Sequence, residues 1–207
     1  MALINEEKKF IFFHLFKCAG SSMRKVLTTN EELCYEYFGG HCLPRDGKEL
    51  MYKDKKKTMF NNYFKFTFVR NPFDWLLSTY NYILAYPNHI NHEAVKSLDL
   101  AGFIQHYVDV MMLNEGRGVG MNKCVTMYDF ITDKDGKLLV DFVGKFENVN
   151  KDMEYVLGQV GIPYVELPFV NVNPSRVSDY RVCYNEEAKD LVEKYFEKDL
   201  DYFNYRF

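Results

Sequence analysis

The sequence predicts one α/β domain over residues 1–207, with a central parallel sheet flanked by helices. Two observations support this fold class. An apolar run, a loop and a helical pattern follow one another twice, first from residue 10 and again from residue 64. The chain also shows no internal repeat, linker or low-complexity tract, so a single domain is its simplest organisation.

The first unit begins with a predicted strand at residues 10–15, FIFFHL. An apolar run of this length that ends in small residues is typical of a buried parallel strand. The loop KCAGSS, from Lys17 to Ser22, then leads into the helical pattern MRKVL. Backbone N–H groups at such a helix start bind anions, and Lys17 adds a positive charge. The alternative is a tight turn with an exposed lysine.

The second unit begins with a predicted strand at residues 64–69, FKFTFV, which Arg70 follows. Asn71 suits the N-cap of the next helix, and Pro72 suits its first position. The planar fork of Arg70 is suited to phosphate. Ser78 could reach the same phosphate, because six helical residues rise only about 9 Å. The alternative is an arginine in a surface ion pair and a serine bonded to its own helix.

The middle of the chain is predicted to contain loops and short helices over residues 85–122 and then a hairpin over 125–146. The first strand of this hairpin would lie near residues 125–131, and its turn at 133–136 would lead into the returning run LLVDFVGKF.

Two further helices are predicted near the C-terminus. Gly161 would end the first, whose apolar positions follow helical spacing: Met153, Val156, Leu157 and Val160. Asn185 would cap the last, whose apolar stripe is formed by Ala188, Leu191, Val192, Tyr195 and Tyr202.

Charge and cysteine content exclude several classes of protein. The net charge is −3, whereas nucleic-acid-binding proteins usually have a basic excess. The five cysteines are odd in number and lack CxxC spacing, which argues against a disulfide scaffold and for a reducing compartment. No apolar run approaches the roughly 18 residues of a membrane span. These features predict a cytoplasmic protein without nucleic-acid or membrane partners.

The lysine-rich run at residues 53–57 is interpreted as a solvated loop, with a contact to an acidic substrate as the alternative.

Four segments, taken in order, resemble a known family. HLFKCAGSSM resembles the HIPKTGGTS-type loop of Golgi-type and bacterial carbohydrate sulfotransferases, and FTFVRNPFDWLLSTY resembles their FxFVRNPxxRxxSxY segment. DGKLLVDFVGKFENV and the tail from residue 167 are also similar to the family. The resemblance implies a P-loop-like sulfotransferase fold. It also implies transfer of a sulfuryl group from 3′-phosphoadenosine-5′-phosphosulfate (PAPS) to an acceptor hydroxyl, with 3′,5′-adenosine bisphosphate (PAP) as product and no metal.

The same resemblance implies roles for individual residues. Lys17 would hold the 5′-phosphosulfate and stabilise the leaving oxygen. The loop around the 5′-phosphate would comprise Lys17, Cys18, Ala19, Gly20, Ser21 and Ser22. Arg70 and Ser78 would bind the 3′-phosphate, and Ser175 and Arg176 would approach the nucleotide.

A general base is expected to accept the proton of the acceptor hydroxyl. His41, in FGGHCLP, resembles the segment that carries the proposed base of the uronyl 2-O-sulfotransferases, and a histidine pKa near neutral suits this role. Glu147 and Asp46 are the alternatives. The other histidines are interpreted differently: His14 as a packed side chain, and the pair His89 and His92 as too few ligands for a metal.

The sequence departs from the family pattern at four positions, of which the replacement of threonine by Ser21 is mild. Phe16 replaces the usual proline. Cys18 replaces the usual threonine, either as a quiet small residue or as a thiol whose pKa the helix start and Lys17 would lower. Trp75 replaces the usual arginine or lysine and removes one cation near the nucleotide.

Two other functions are compatible with parts of the pattern. A P-loop kinase or NTPase is disfavoured because GxxxxGK[ST] is absent. A non-catalytic nucleotide-binding member of the family is the second alternative. The acceptor is expected to be a carbohydrate or a small metabolite. Aromatic residues are more often part of the core, but four of them hint at a small or partly apolar acceptor: Tyr80, Tyr82, Tyr86 and Phe103.

Overall fold

The computed structural model describes residues 2–29, 34–37, 42–111, 126–168, 170 and 177–207, and a five-stranded sheet lies at the centre of these residues. Its strands are β1 (Ala2–Asn5), β2 (Phe10–Phe13), β3 (Cys34–Tyr37), β4 (Phe64–Val69) and β5 (Phe142–Lys145). Their spatial order is β3-β1-β2-β4-β5. β1 is antiparallel to β2 and β3, whereas β2, β4 and β5 are mutually parallel. The predicted α/β class is therefore confirmed, with a sheet that is mostly rather than wholly parallel.

The sequence reasoning did not identify β1 and β3. Each is only four residues long, and β3 is at most half-buried, so neither gives a hydrophobic pattern that stands out from a loop. The sequence predicts β2 and β4 because both are aromatic-rich apolar runs. In the structure their aromatic residues stack between neighbouring strands. Phe66 packs against Phe10 and Phe12 with ring centroids 5.9 Å and 5.1 Å apart.

The described helices pack around this sheet. They are α1 (Gly20–Thr28), α2 (Pro44–Lys53), α3 (Lys57–Asn62), α4 (Pro72–Ala85), α5 (His92–Val95), α6 (Leu100–His106), α7 (Met127–Ile131), α8 (Val149–Val160), α9 (Glu186–Tyr195) and α10 (Glu197–Tyr202). None of them is long and apolar enough to cross a membrane.

Three helix boundaries lie where the sequence predicts them. The Asn71 side chain accepts a hydrogen bond from the Phe73 amide at 3.1 Å, with Pro72 at the first position of α4. Gly161 ends α8 in the left-handed conformation, with φ 67°. Asn185 caps α9 by accepting from the Ala188 amide at 2.8 Å. These boundaries were predictable because each depends on residues close together in sequence.

The predicted hairpin over residues 125–146 is wrong. Residues 127–131 form α7, and β5 pairs in parallel with β4 instead of folding back on a neighbouring strand. Of the hairpin only the turn remains, closed by one bridge between Thr132 and Leu138. Thr126 caps this helix by accepting a hydrogen bond from the Asp129 amide at 3.0 Å. Asp199, which is far away in sequence, also accepts hydrogen bonds from the Met127 and Tyr128 amides at 2.8 Å and 2.7 Å.

The last predicted helix is divided at Phe196. The backbone of Phe196 leaves the helical region, with φ −114° and ψ 20°, and its ring is fully buried against Trp75. Because α10 then takes a new direction, Tyr202 does not continue the apolar stripe and is 49% exposed.

The lysine-rich run lies between α2 and β4. Lys53, Lys55 and Lys57 are exposed, whereas Lys56 covers the rings of Tyr35 and Tyr37 with its amine 5.1 Å and 4.8 Å from their centroids. α3 connects the run to the start of β4, whereas Arg70 follows the other end of that strand. The exposure of the run agrees with the interpretation as solvated, but only residues 54–56 form a loop, because Lys53 ends α2 and Lys57 begins α3.

Candidate functional site

The site lies at the C-terminal ends of the neighbouring strands β2 and β4. These strands are parallel neighbours, so the segments that follow them leave the sheet side by side. The hydroxyl of Thr67 fixes this arrangement by donating a 2.7 Å hydrogen bond to the Phe13 carbonyl. The Lys17 loop and Arg70 therefore meet.

The loop between β2 and α1 turns sharply through two left-handed residues. Lys17 has φ 60° and Ala19 has φ 59°, which for side chains other than glycine costs about 1–3 kcal/mol each. The Ala19 carbonyl then accepts from the Ser22 and Met23 amides at 3.0 Å and 3.2 Å. Within the part of the chain that the structure describes, the Gly20 and Ser21 amides donate no backbone hydrogen bond. The start of α1 therefore offers N–H groups to an anion.

Gly20 is required by a close contact with His14. A Cβ on Gly20 would lie 1.9 Å and 2.0 Å from two atoms of the imidazole ring. The half-buried His14 ring also stacks against Phe12, with centroids 6.0 Å apart. His14 is thus a packed side chain under the loop, as the sequence reasoning expected.

Two side chains from the second unit hold successive carbonyls of the loop. Arg70 Nη1 donates to the Lys17 carbonyl at 3.0 Å, and Trp75 Nε1 donates to the Phe16 carbonyl at 2.9 Å. In a trans peptide the N–H points away from the C=O of the same plane. Holding these two carbonyls on the Arg70 side therefore turns the Lys17 and Cys18 amides towards the opposite side of the loop.

Arg70 is a buried residue with a carboxylate partner. It is 4% exposed, its Nε and Nη2 both lie 2.7 Å from Asp74 Oδ2, and its guanidinium lies 4.2 Å from the centroid of the Phe146 ring. Arg70 is therefore in an ion pair, as the alternative expected, but this pair is buried instead of lying at the surface. An arginine has five N–H donors, and these contacts with the Lys17 bond use three of them.

The Lys17 side chain extends along α4. Its Nζ lies 4.4 Å from the centroid of the Tyr82 ring. Burial, and secondarily the nearby positive charge of Arg70, lower the pKa of Lys17. Ser78 is half-buried and lies one helical turn before Tyr82, so both residues share the face of α4 along which Lys17 runs.

Comparison with known proteins agrees with this geometry. The sulfotransferase-family model matches residues 1–206.

The chain is a member of the sulfotransferase family.

Two relatives show how far the likeness extends. Human "Carbohydrate sulfotransferase 9" is 25% identical over 228 residues, an alignment that covers 98% of this chain and 51% of the human protein. An "Uncharacterized protein" of Archaeoglobus fulgidus is 28% identical over 131 residues, covering 60% of this chain and 88% of that protein. This sulfotransferase thus spans about half the length of its human relative. No solved structure matches it.

Two departures from the sulfotransferase pattern have a structural explanation. Cys18 is fully buried, and burial raises the pKa of its thiol, so the idea of a lowered pKa is wrong and the residue acts as a small core side chain. The sequence shows Trp75 only as the loss of a cation. In the structure its indole N–H donates a hydrogen bond to the loop. A buried tryptophan usually finds a partner for its N–H, but the identity of that partner, 59 positions away, is not visible in the sequence.

The remaining predicted site residues differ in what the structure shows. Ser22 is buried and accepts a 3.3 Å hydrogen bond from the Val170 amide, whereas Ser21 is exposed at the helix start. His41, Ser175 and Arg176 lie outside the described residues.

The structure places the two alternative bases differently. The Glu147 carboxylate accepts from the Asn71 amide at 2.7 Å and from the Tyr205 hydroxyl at 2.9 Å, which makes it an anchor for the C-terminal tail. Asp46 is exposed in the first turn of α2. Within the described ranges, no group of three or more His, Cys, Asp or Glu side chains could hold a metal ion.

Proposed function

We propose that this sulfotransferase transfers the sulfuryl group of PAPS to the hydroxyl of a carbohydrate or small metabolite in the cytoplasm. The observation that supports this proposal is the loop after β2, in which Lys17 stands beside amides that are open to an anion. The proposal includes no metal, no nucleic-acid partner and no membrane partner.

The loop would bind the 5′-phosphosulfate. The amides of Cys18, Gly20 and Ser21, with the Ser21 hydroxyl, would donate hydrogen bonds to the phosphate oxygens. Lys17 would place its ammonium at the oxygen that bridges phosphorus and sulfur, where negative charge develops as the bond to sulfur breaks. Because Arg70 and Trp75 hold the loop beforehand, little reorganisation would accompany the reaction.

The 3′-phosphate would distinguish the donor from ordinary adenine nucleotides. Arg70 would contact it with the two N–H groups that its bonds to Asp74 and Lys17 leave over, and Ser78 would contribute its hydroxyl. Ser175 and Arg176 are proposed to approach the nucleotide from the C-terminal part of the chain.

The transfer would be an in-line displacement. The acceptor oxygen forms a bond to sulfur while the opposite bond from sulfur to the bridging oxygen breaks, and the electron pair of that bond goes to the 5′-phosphate of PAP. His41 is proposed as the base that takes the hydroxyl proton. As in phosphoryl transfer, positioning and electrostatic stabilisation would supply most of the catalysis.

Calorimetric titration without magnesium tests the donor site. We expect PAP to bind at least about tenfold more tightly than ADP or AMP, because each well-placed phosphate contact contributes about 1.4 kcal/mol or more. Equal affinity for PAP and ADP would refute the 3′-phosphate site. A magnesium requirement with ATP preference would favour a kinase or NTPase. PAP binding without transfer to any acceptor hydroxyl would indicate a non-catalytic member of the family.

A further inference from the structure

A long uncharged segment adjoins the Lys17 loop. From Trp75 to His92 the chain carries no Asp, Glu, Lys or Arg, although these residues make up 27% of the sequence. Its last part, YNYILAYPNHINH at residues 80–92, contains three tyrosines, three asparagines and two histidines. Such a segment combines aromatic surface with neutral hydrogen-bonding groups.

Three rings of this segment form one group of two exposed tyrosines and a half-buried histidine, which we call the tyrosine patch: Tyr82, Tyr86 and His89. The centroid of Tyr82 lies 4.6 Å from that of Tyr86 and 5.8 Å from that of His89. Tyr82 is 36% exposed and Tyr86 is 52% exposed. By contrast, Tyr80 points into the protein and donates its hydroxyl to the Leu98 carbonyl at 2.6 Å.

The patch is joined directly to the candidate site. Tyr82 carries the ring that the Lys17 ammonium contacts at 4.4 Å, so one ring touches both the loop lysine and the rest of the patch. The position proposed for the sulfuryl group is beside that ammonium. An acceptor hydroxyl must approach sulfur there, and a body attached to the hydroxyl would meet the faces of Tyr82 and Tyr86.

The third ring of the patch is fitted to donate a hydrogen bond. His89 Nδ1 accepts from the Asn91 amide at 3.1 Å, so the proton of the neutral ring is on Nε2. Burial, with a smaller contribution from His92, lowers the pKa of His89, which keeps the ring neutral at physiological pH. His89 therefore offers an N–H without a positive charge, and it is unsuited to act as a base at Nε2.

We propose that the tyrosine patch is the acceptor subsite and that the acceptor is an uncharged saccharide. The C–H face of a sugar ring would stack on Tyr82 and Tyr86, and the His89 Nε2–H would donate to one of its hydroxyls. The Lys17 ammonium beside Tyr82 is assigned to the donor, so an anionic sugar would need a second cation here, and residues 75–92 supply none. The inference rests on the proposed function, because Lys17 marks the reacting group only if the loop binds the phosphosulfate.

Saturation-transfer difference NMR on the PAP-loaded protein tests this subsite without requiring turnover. The probes are the methyl glycosides of glucose, galactose, mannose and N-acetylglucosamine, with methyl glucuronide as the anionic comparison. We expect binding of at least one neutral glycoside, strongest for its ring C–H protons. Tyr82→Ala should weaken this binding about fivefold or more, equivalent to about 1 kcal/mol, whereas Tyr82→Phe should retain most of it.

Tyr155→Ala is the matched control. Tyr155 is a helical tyrosine with 49% exposure whose ring contacts Phe142 at 4.7 Å, and its removal should leave glycoside binding unchanged. Tyr86→Ala provides a second patch variant, because Tyr86 is more exposed than Tyr82 and its loss should disturb folding less.

The outcomes separate this inference from the donor proposal. If PAP fails to bind selectively to the wild type, the proposed function is wrong. The subsite is overturned if PAP binds selectively but no neutral glycoside binds, if methyl glucuronide binds more tightly than all of them, or if patch variants bind glycosides normally. It is also overturned if Tyr82→Ala weakens PAP as much as glycoside, because the ring would then belong to the donor site.

Discussion

The hydrogen bond from Trp75 to the loop gives the sharpest test of how the anion site is held. Trp75→Phe removes the indole N–H that the Phe16 carbonyl accepts at 2.9 Å. A phenylalanine retains a ring for the edge contact with Phe16, whose centroid lies 4.8 Å from that of the indole. The variant thus removes one restraint on the Lys17 amide while keeping the residue aromatic.

The expected loss follows from the energetics of buried hydrogen bonds. Removing one partner of a typical bond lowers stability by about 0.5–1.5 kcal/mol, and by about 1–3 kcal/mol if the other partner is left unsatisfied. The freed loop must be reordered when PAP binds, and the free energy of this reordering weakens PAP binding. A loss of about 1–2 kcal/mol corresponds to PAP binding that is about 5- to 30-fold weaker.

Two measurements separate this effect from general destabilisation. Calorimetry gives the PAP affinity, and urea unfolding gives the free energy of unfolding. Thr79→Val is the matched control in the same helix, because it removes a buried 2.8 Å hydrogen bond, from the Thr79 hydroxyl to the Trp75 carbonyl, that does not touch the loop. We expect both variants to lose stability and only Trp75→Phe to lose affinity for PAP.

The reasoning would be refuted by wild-type PAP affinity in Trp75→Phe, even if that protein were less stable. An equal loss of affinity in Thr79→Val would also contradict it, because the cause would then be softening of α4 as a whole.

Three further predictions concern packing, pH and thiol reactivity. Gly20→Ala should destabilise the protein by about 1–3 kcal/mol, because its Cβ would overlap the His14 ring, and urea unfolding should show that His14→Ala in the same chain restores part of the loss. Burial raises the pKa of Asp199 to about 7, so its contribution to stability is complete below about pH 4 and is lost as the pH rises through 7; the unfolding free energy of the wild type relative to Asp199→Asn should fall over this range. Iodoacetamide at pH 8, followed by peptide mass spectrometry, should label the half-buried Cys183 before the buried Cys18, whose thiol pKa is raised; equal labelling in the folded protein would contradict the structure.

The parts of the fold that the sequence predicts are those encoded by neighbouring residues. The apolar run of β4, the Asn71 cap and Pro72 define one strand–helix unit within a short stretch, so their assignment needs no knowledge of the rest of the chain. The same holds for the Lys17 loop, whose small residues indicate a close backbone turn.

The parts that could not be predicted depend on distant partners. The helix at residues 127–131 has a local cap in Thr126, but its first two amides bond to the distant Asp199. Trp75 becomes part of the site because its N–H reaches the Phe16 carbonyl. A local pattern gives only a tendency for a tryptophan or an aspartate to be buried. It does not show which backbone group the side chain will contact.

The strand pairs of the sheet differ in how far apart their partners lie in the sequence. Because β1 runs against β2, the four residues 6–9 suffice to join them, and closing this short loop loses little chain entropy. The pairing of β2 with β4, and of β4 with β5, brings together segments that are far apart in the chain, and such contacts form slowly. The Lys17 loop follows the locally closed half, whereas Arg70 and Trp75 belong to the half that closes over long distances. The anion site therefore acquires its final shape only when both halves of the sheet have joined, which links its order to the completion of folding.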